Sequence, residues 1–371
     1  MSSQLFTPFR LGQLKLPNRI VISPMCMYSA EEGNATDWHL IHLGSLAFSG
    51  AGLLVIEATA VSSEGRITGG CLGLYSDTNE QALGRVLDGV RRYSNMPIAV
   101  QLAHAGRKAS SLPPWLGGQL QPMDDGGWQP VAPSAVADDA DEPAPAEMVS
   151  ADINRIRDAF VDSARRAARL DINAVELHFA HGYLLHEFLS PLANRRTDRY
   201  GGSLENRMRL PLEVFDAVRD AWPHSRPLGV RISATDWVDG GWDLEQSCTL
   251  GSELKGRGCD WIDVSSGGLS PTQKIQLGPG YQVPLARRLR AEVGLPTIAV
   301  GLITEAQQAE TIIADGDADL VALARGVLWN PHWPWQAAGE LGAQVDAPPQ
   351  YWRAPPREFK QLFRDGLFGM R

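Results

Sequence analysis

The sequence predicts a closed (β/α)₈ barrel, and three observations lead to this fold class. Eight short, mostly apolar runs recur along the chain, as expected of parallel strands that are buried on both faces. Helical patterns lie between these runs and give the alternation that is typical of such barrels. No run is followed by G-x-G-x-x-G, the glycine pattern of open dinucleotide-binding sheets.

The predicted strands are rich in Val, Ile, Leu and Ala. They cover residues 19–24, 53–57, 98–102, 174–178, 228–233, 261–265, 297–301 and 320–324. Predicted helices cover residues 152–170 with Asp152 as N-cap, 203–218 opening at Ser203, 244–254, 284–293 and 305–313. Eight strand-and-helix units close a barrel, whereas an open sheet would have fewer strands or a recognisable switch point.

Two segments fall outside this repeat. Residues 104–150 hold the densest Pro, Gly and Asp content and are too long for a passive connection, which predicts a capping loop. Residues 333–371 are rich in Trp, Pro and Arg and form a C-terminal extension. Because a barrel takes about 250 residues, these segments account for most of the surplus, and we expect one domain over 1–371.

Composition narrows the class of protein. Apolar residues make up 44% and charged residues 21%, which is typical of a globular chain. The net charge of -9 gives no basic footprint for nucleic acid or an anionic membrane. Four scattered cysteines without a CxxC pair favour a reduced, cytoplasmic protein without structural zinc. No signal peptide or membrane span is predicted.

The strand ends are where a barrel of this kind binds its ligands, and strands seven and eight usually hold phosphate. There Gly301 lets the backbone approach a ligand closely, and Arg325 offers a bidentate cation for an oxyanion. The alternative is a turn glycine and a salt bridge at the rim. This pair alone does not decide between the two.

Gln101 and Arg231 are expected to face inward from strands three and five. A side-chain amide can pair with a ring imide, and a fixed cation can hold an anionic ring nitrogen or carbonyl. Both are demands of a flavin pyrimidine. The alternative is a buried arginine paired with Glu57 or Glu176.

His178 and His181 follow strand four, with Tyr183 two residues further on. Metal ligation is disfavoured because neither H-x-H nor H-E-x-x-H occurs. Two imidazoles that donate to one substrate oxygen fit better, since negative charge grows on a carbonyl or nitro oxygen during conjugate hydride addition. Tyr183 is then placed as a general acid. The alternative is that one histidine only packs in the core.

Cys26 lies after strand one, where it is either an inert thiol or a contact that tunes a cofactor. Trp38, His39 and His42 are interpreted as structural residues of the first helix.

At these positions the chain resembles the old yellow enzyme family of FMN-dependent ene-reductases, and more narrowly its thermophilic-like, or xenobiotic-reductase-like, subgroup. The resemblance spans nearly the whole sequence. It rests on residues 17–20 (PNRI), 23–28 (SPMCMY), 57–61 (EATAV), 101–108 (QLAHAGRK), 178–183 (HFAHGY), 196–207 (RTDRYGGSLENR) and 324–325 (AR).

This resemblance implies noncovalent FMN, NADPH or NADH as hydride donor, and activated alkenes (enones, enals, maleimides, nitroalkenes) as substrates. The implied flavin contacts are Ser23, Pro24, Met25 and Cys26 for its central part, Ala58, Gln101 and Arg231 for the pyrimidine, and Gly301, Leu302, Ala324 and Arg325 for the phosphate. The implied substrate contacts are Tyr28, His178 and His181, with Tyr183 as proton donor to the α carbon. Because the chain is acidic overall, we expect Lys108 and Arg107 to supply local positive charge for the nicotinamide nucleotide.

The residues 349–353 (PQYWR) resemble the segment that, in this subgroup, reaches into a neighbouring subunit's site. Arg353, with Tyr351, is therefore a candidate shared residue, and a homodimer or homotetramer is implied. Two positions depart from the subgroup's pattern. Met27 stands where Gln is usual, and Phe179 replaces the commoner Gly between the histidines, which narrows the pocket.

Three other functions are weighed against this one. An iron–sulfur flavin reductase would need a cysteine cluster beyond the barrel, and no Cys follows Cys259. A metal-dependent barrel hydrolase could use His104, His178 and His181. The third alternative is a flavin-binding protein without catalytic activity. The yellow colour of bound flavin in the pure protein would distinguish it from the hydrolase.

Overall fold

A computed structural model describes residues 3–364 and contains a closed barrel of eight parallel strands, as predicted. The strands are β1 (Ile20–Ile22), β2 (Leu53–Ala60), β3 (Ile98–Ala103), β4 (Ala174–Phe179), β5 (Leu228–Ser233), β6 (Ile262–Ser265), β7 (Thr297–Ala299) and β8 (Leu320–Leu323). The barrel closes where β8 pairs with β1, with Val321 opposite Ile20. All eight predicted strands are therefore confirmed.

The helices that surround the barrel are α1 (Asp37–Ala47), α2 (Asp77–Arg91), α3 (Ser150–Arg169), α4 (Leu184–Leu189), α5 (Leu204–Ala221), α6 (Leu244–Gly256), α7 (Val283–Val293), α8 (Ala306–Ala314), α9 (Arg325–Trp329) and α10 (Trp333–Glu340). The five predicted helices correspond to α3, α5, α6, α7 and α8. Ser203 caps α5 as expected, since its hydroxyl accepts from the backbone N–H of Asn206.

One predicted cap is wrong. The N-cap of α3 is Val149, three residues before the expected cap. Asp152 is instead the third helical residue, and its carboxylate accepts from the backbone N–H of Val149 at 3.0 Å. The same carboxylate thus satisfies an N-terminal donor from inside the helix, as the acidic residue of a capping box does.

The N-terminal end of the barrel is closed by a hairpin of two short strands, Phe9–Leu11 and Leu14–Leu16. Leu11 and Leu16 are fully buried with the residues that fill the lower barrel, including Trp261. The Trp261 ring requires glycine at position 229, because a Cβ there would lie 2.1 Å from it. Large side chains therefore fill this end of the barrel. A ligand can bind only at the opposite end, where the strands finish.

Residues 104–150 fold over the carboxyl ends of the first strands. They contain 3₁₀ turns at Gly106–Lys108, Pro114–Leu116 and Met123–Asp125, and a small parallel pair of strands. Trp128 donates from Nε1 to the carbonyl of Glu64, and the Arg66 guanidinium lies 5.2 Å from the centre of its ring system. These contacts hold the segment beside the rim at which the strands end. That the segment caps the site stays a prediction.

The later part of the C-terminal extension packs at the end of the barrel where the strands begin. Val345 and Asp346 lie against Gly50, which precedes β2, and the Tyr351 ring contacts Phe48 at the end of α1. Part of the predicted extension, residues 365–371, lies outside the described residues. No helix within residues 3–364 is long and apolar enough to cross a membrane.

Candidate active site

The segment after β1 is held from below by Glu57. A β-bulge in β2 sits at this residue, where the pairing with β3 shifts register. The Glu57 carboxylate accepts from the backbone N–H of Met27 at 3.1 Å and lies 3.4 Å from Nε2 of His39. His39 therefore has the structural role expected of it. The loop that carries residues 23–28 is fixed against the barrel wall.

His178, His181 and Tyr183 come together at the carboxyl end of β4. The two imidazole centroids are 5.0 Å apart, and the Tyr183 ring lies 5.1 Å from that of His178. Nε2 of His181 is 2.7 Å from the hydroxyl of Ser265, so this ring nitrogen already has a partner within the chain. His181 takes a left-handed conformation, with φ of 60°, that turns the chain sharply at this point.

The protonation states of these groups follow from their burial. Burial, with Arg231 nearby, lowers the pKa of both His178 and His181 well below the usual range. Burial also raises the pKa of Tyr183 well above its ordinary value. At neutral pH the site therefore contains two neutral imidazoles and one protonated phenol. A neutral imidazole donates through only one ring nitrogen.

Arg231 and Ser23 carry polar atoms that no described residue satisfies. The Ser23 hydroxyl and Nε of Arg231 are buried without a hydrogen-bond partner within residues 3–364, and so is Nδ1 of His178. Nε of Arg231 lies 3.5 Å from Asp263, so the arginine does face a buried carboxylate, but this carboxylate is neither Glu57 nor Glu176. Buried polar groups normally have partners. These atoms fit a ligand with ring nitrogens and carbonyls, as a flavin has.

Gln101 is only partly available to such a ligand. Its Nε2 donates to Glu176 at 2.8 Å, inside the barrel. Burial and the neighbouring Asp263 raise the pKa of Glu176 to about 8. Ala58 pairs with Gln101 across β2 and β3, so both residues lie at the same level of the rim.

The predicted phosphate residues lie together at the ends of β7 and β8. Gly301 and Leu302 are both left-handed, with φ of 118° and 51°. A Cβ at position 301 would meet the amide of Gln282 at 2.7 Å, which explains the glycine. Ala324 is the N-cap of α9, and Arg325 is exposed at its first position. Backbone N–H groups and an exposed cation suit a phosphate.

Lys108 and Arg107 both contact backbone carbonyls and Asp138, and they differ in that Lys108 also lines a cavity. Arg107 is 7% exposed, and its guanidinium donates to the carbonyl of Leu269 and lies 3.0 Å from Asp138. The expectation that it binds the nicotinamide nucleotide is therefore not supported. Lys108 donates to the carbonyls of His181 and Gly268. It also lines a cavity of about 220 Å³ together with Tyr28, Asp138 and Tyr183.

Cys26 contacts a second thiol. A hydrogen bond with Cys71, followed by burial, raises the pKa of Cys26 well above its usual value, so it is a thiol at neutral pH. The His104 ring packs against Gly65, and burial lowers its pKa to about 4. Within residues 3–364, no three His, Cys, Asp or Glu side chains are grouped to hold a metal ion.

Residues 4–344 match the model of the NADH:flavin oxidoreductase / NADH oxidase family. The chain belongs to this family. Its membership confirms the resemblance to old yellow enzymes and, with it, an oxidoreductase that uses FMN and NAD(P)H. Because the chain belongs to a family of flavin oxidoreductases, the alternative of a metal-dependent hydrolase is excluded.

Two relatives and one solved structure illustrate this family. An NADPH dehydrogenase of Geobacillus thermodenitrificans is 45% identical over 355 residues, which cover 95% of this chain and 99% of that one. An NADH:flavin oxidoreductase of Gibberella zeae is 42% identical over 93% of this chain and 87% of its own. The structure of morphinone reductase superposes with a TM-score of 0.76 and 30% identity, covering 99% of this chain and 95% of that one.

Three residues of the flavin-oxidoreductase site had no predicted role: Asp263, Ser265 and Asp138. The first two alternate along β6 and both point inward, so a two-residue period of polar residues in a strand could have indicated them. Asp138 lies in the irregular segment 104–150, which has no period to follow.

Proposed function

We propose that the protein is an ene-reductase that reduces the C=C bond of enones, enals, maleimides and nitroalkenes. The arrangement of His178, His181 and Tyr183 carries the proposal. Two neutral donors and one protonated acid lie side by side at the rim, with ring centroids 5.0 and 5.1 Å apart. Reduction of an activated alkene requires these groups: donors for the oxygen and a proton for the α carbon.

His178 and His181 hold the substrate oxygen. Negative charge grows on this oxygen as the β carbon is reduced, and donors that are already in place stabilise that charge without reorganisation. One such donor contributes about 3 kcal/mol to lowering the barrier. Because burial keeps both rings neutral, each presents one N–H while the other nitrogen accepts.

Tyr183 supplies the proton to the α carbon. Its raised pKa keeps the phenol protonated throughout the physiological range. Tyr28 and Lys108 line the same cavity, where Tyr28 contacts the substrate and Lys108 provides positive charge for the nicotinamide nucleotide. When bound, FMN supplies to the β carbon the hydride that it has accepted from NAD(P)H.

The flavin is held at the rim by three sets of residues. Ser23, Pro24, Met25 and Cys26 line its central part, Ala58, Gln101 and Arg231 its pyrimidine, and Gly301, Leu302, Ala324 and Arg325 its phosphate. The unpaired atoms of Ser23 and Arg231 support this assignment. We also propose that Arg353 acts in the site of a second subunit, within a homo-oligomer. The neighbouring residues of the tail lie at the end of the barrel opposite this chain's own site.

The test begins with the purified protein, whose absorbance reports bound flavin. NADPH oxidation is then measured without oxygen, with and without 2-cyclohexenone, and cyclohexanone is quantified by chromatography. Consumption that depends on the enone and yields the ketone supports the proposal. A yellow protein that forms no saturated ketone is a silent flavin binder or reduces another acceptor, and the proposal is then wrong.

A matched pair of variants tests the oxygen contact. His181→Asn lowers the kcat for the enone by about 10²-fold, since a preorganised donor is lost or displaced. His42→Asn makes the same chemical change on α1, away from the rim, and leaves kcat at the wild-type value. Full turnover by His181→Asn would refute the assignment of this residue.

A further inference from the structure

The turn between β4 and α4 has an unfavourable backbone that something must hold in place. His181 has a φ of 60° and Gly182 a φ of 74°, so two consecutive residues are left-handed. For a non-glycine residue this conformation costs free energy, and it persists only when the surroundings fix it. The turn sets the direction of the His181 ring, so the contacts that hold the turn also fix that direction.

A buried histidine fixes this turn from below. Nδ1 of His186 accepts a hydrogen bond from the backbone N–H of Gly182 at 2.9 Å. An accepting Nδ1 carries no proton, so the ring proton of a neutral His186 is on Nε2. Nε2 lies 2.9 Å from a carboxylate oxygen of Asp236, and both side chains are 0% exposed.

Asp236 is held as an anion by His186 and by its other contacts. Its second oxygen accepts from the hydroxyl of Ser190 at 2.6 Å and from the backbone N–H of Trp242 at 2.7 Å. Burial by itself would raise the pKa of Asp236, but the contacts with His186 and Ser190 lower it below the usual value. A buried carboxylate beside Nε2 favours the tautomer that accepts from Gly182.

The same turn is tied to the neighbouring strands. The backbone N–H of His181 donates to the hydroxyl of Ser233, at the end of β5, at 2.9 Å. Its ring contacts Ser265, at the end of β6. Asp236 follows β5, so the contact with His186 joins α4 to the loop after β5. The backbone and the ring of His181 are thus fixed from separate sides.

We infer that His186 and Asp236 form a positioning pair that orients His181 through the Gly182 amide. The inference rests on the proposed function, because its consequence for catalysis depends on His181 holding the substrate oxygen. Neither residue touches the substrate. The carboxylate sets the tautomer of His186, His186 sets the Gly182 peptide, and that peptide sets the donor direction of His181.

Two substitutions at position 186 separate the two contacts. His186→Asn places an amide oxygen near the position of Nδ1 and can still accept from Gly182. His186→Gln places an amide nitrogen near the position of Nε2, so it can still contact Asp236 but loses the acceptor. Asp236→Asn removes the charge and keeps the size, which lets the ring proton move to Nδ1 and oppose the Gly182 N–H.

Two readouts are measured on the flavin-loaded protein: steady-state turnover of 2-cyclohexenone, and amide hydrogen exchange of residues 179–183 by mass spectrometry. His186→Gln and Asp236→Asn lower kcat by about 10-fold or more, less than the 10²- to 10³-fold loss of a whole donor, and KM changes less than kcat. Exchange in this turn accelerates in both variants. His186→Asn stays close to the wild type in both readouts.

Equal exchange and equal kcat in His186→Gln and the wild type would overturn the inference. It also fails if His186→Asn and His186→Gln lose kcat and protection to the same extent, since the pair would then serve only general packing. If His186→Gln does not fold, Asp236→Asn carries both readouts. A wild type that does not reduce the enone refutes the proposed function instead, and the exchange data still decide the role of His186.

Discussion

Replacing Tyr183 with Phe tests the proton step directly. The substitution keeps the ring that packs 5.1 Å from His178 and removes only the hydroxyl, so flavin content and melting temperature should hardly change. What is lost is the proton donor. Burial holds the pKa of this phenol far above neutrality, which makes it a protonated acid at every pH of interest.

The size of the effect depends on what can replace the phenol. A positioned general acid contributes about 10²- to 10⁴-fold, or about 2.7 to 5.4 kcal/mol. Tyr183 lines a cavity of about 220 Å³, which has room for several water molecules of about 30 Å³ each. Because water can deliver a proton there, we expect a loss near the lower limit, about 10²-fold.

The assay follows the reaction of pre-reduced enzyme with 2-cyclohexenone by anaerobic stopped flow. Reduction of the enzyme by NADPH, measured separately, should stay at the wild-type rate because it needs no proton from Tyr183. Tyr75→Phe is the matched control, since that hydroxyl donates to the carbonyl of Glu32 outside the site. A Tyr183→Phe enzyme that reacts within about threefold of wild type would refute this role for the phenol.

Three further outcomes are expected. Burial raises the pKa of Glu187 to about 8, so the folded protein binds its proton more tightly than the unfolded chain. The wild type should therefore lose stability relative to Glu187→Gln by up to about 1.4 kcal/mol per pH unit from about pH 5 to pH 8, and denaturant titrations that show parallel curves would contradict this. Arg325→Ala should weaken FMN binding about tenfold or more and leave riboflavin binding unchanged, since only FMN carries a phosphate; equal losses in flavin titrations would disprove a phosphate contact. If Arg353 acts in a partner's site, a mixture of the Arg353→Ala and Tyr183→Phe proteins that exchange subunits should turn over faster than the mean of the two variants measured alone. Turnover equal to that mean would exclude a site shared between subunits.

Much of the fold could be predicted because its signals are local. The strands are buried on both faces, so each appears as a continuous apolar run that stands out from the amphipathic helices. The prediction of the α3 cap was wrong because Asp152 satisfies an N-terminal donor from the third helical position, and the sequence pattern does not distinguish that position from the N-cap itself. The bulge at Glu57 had no signal in the sequence, since one extra residue does not change an apolar run.

The site residues could be predicted for a similar reason. In a parallel barrel every strand ends at the same rim, so residues that follow different strands meet even though they are distant in sequence. His178, His181 and Tyr183 do meet there. Arg107 could not be judged in this way, because the carbonyls and the carboxylate that occupy its guanidinium come from distant loops.

The sequence by itself thus determined the barrel, the rim at which its functional side chains gather, and the flavoprotein family. It could do so because strand periodicity and strand-end position are properties of neighbouring residues along the chain. The tertiary structure decided the partners of those side chains. That Arg231 faces Asp263, that Nε2 of His181 faces Ser265, and that His186 accepts from Gly182 beside a buried Asp236 depends on how separate loops pack. Those partners set protonation state and direction, because in a buried site charge and hydrogen bonds are governed by whatever lies within a few ångströms.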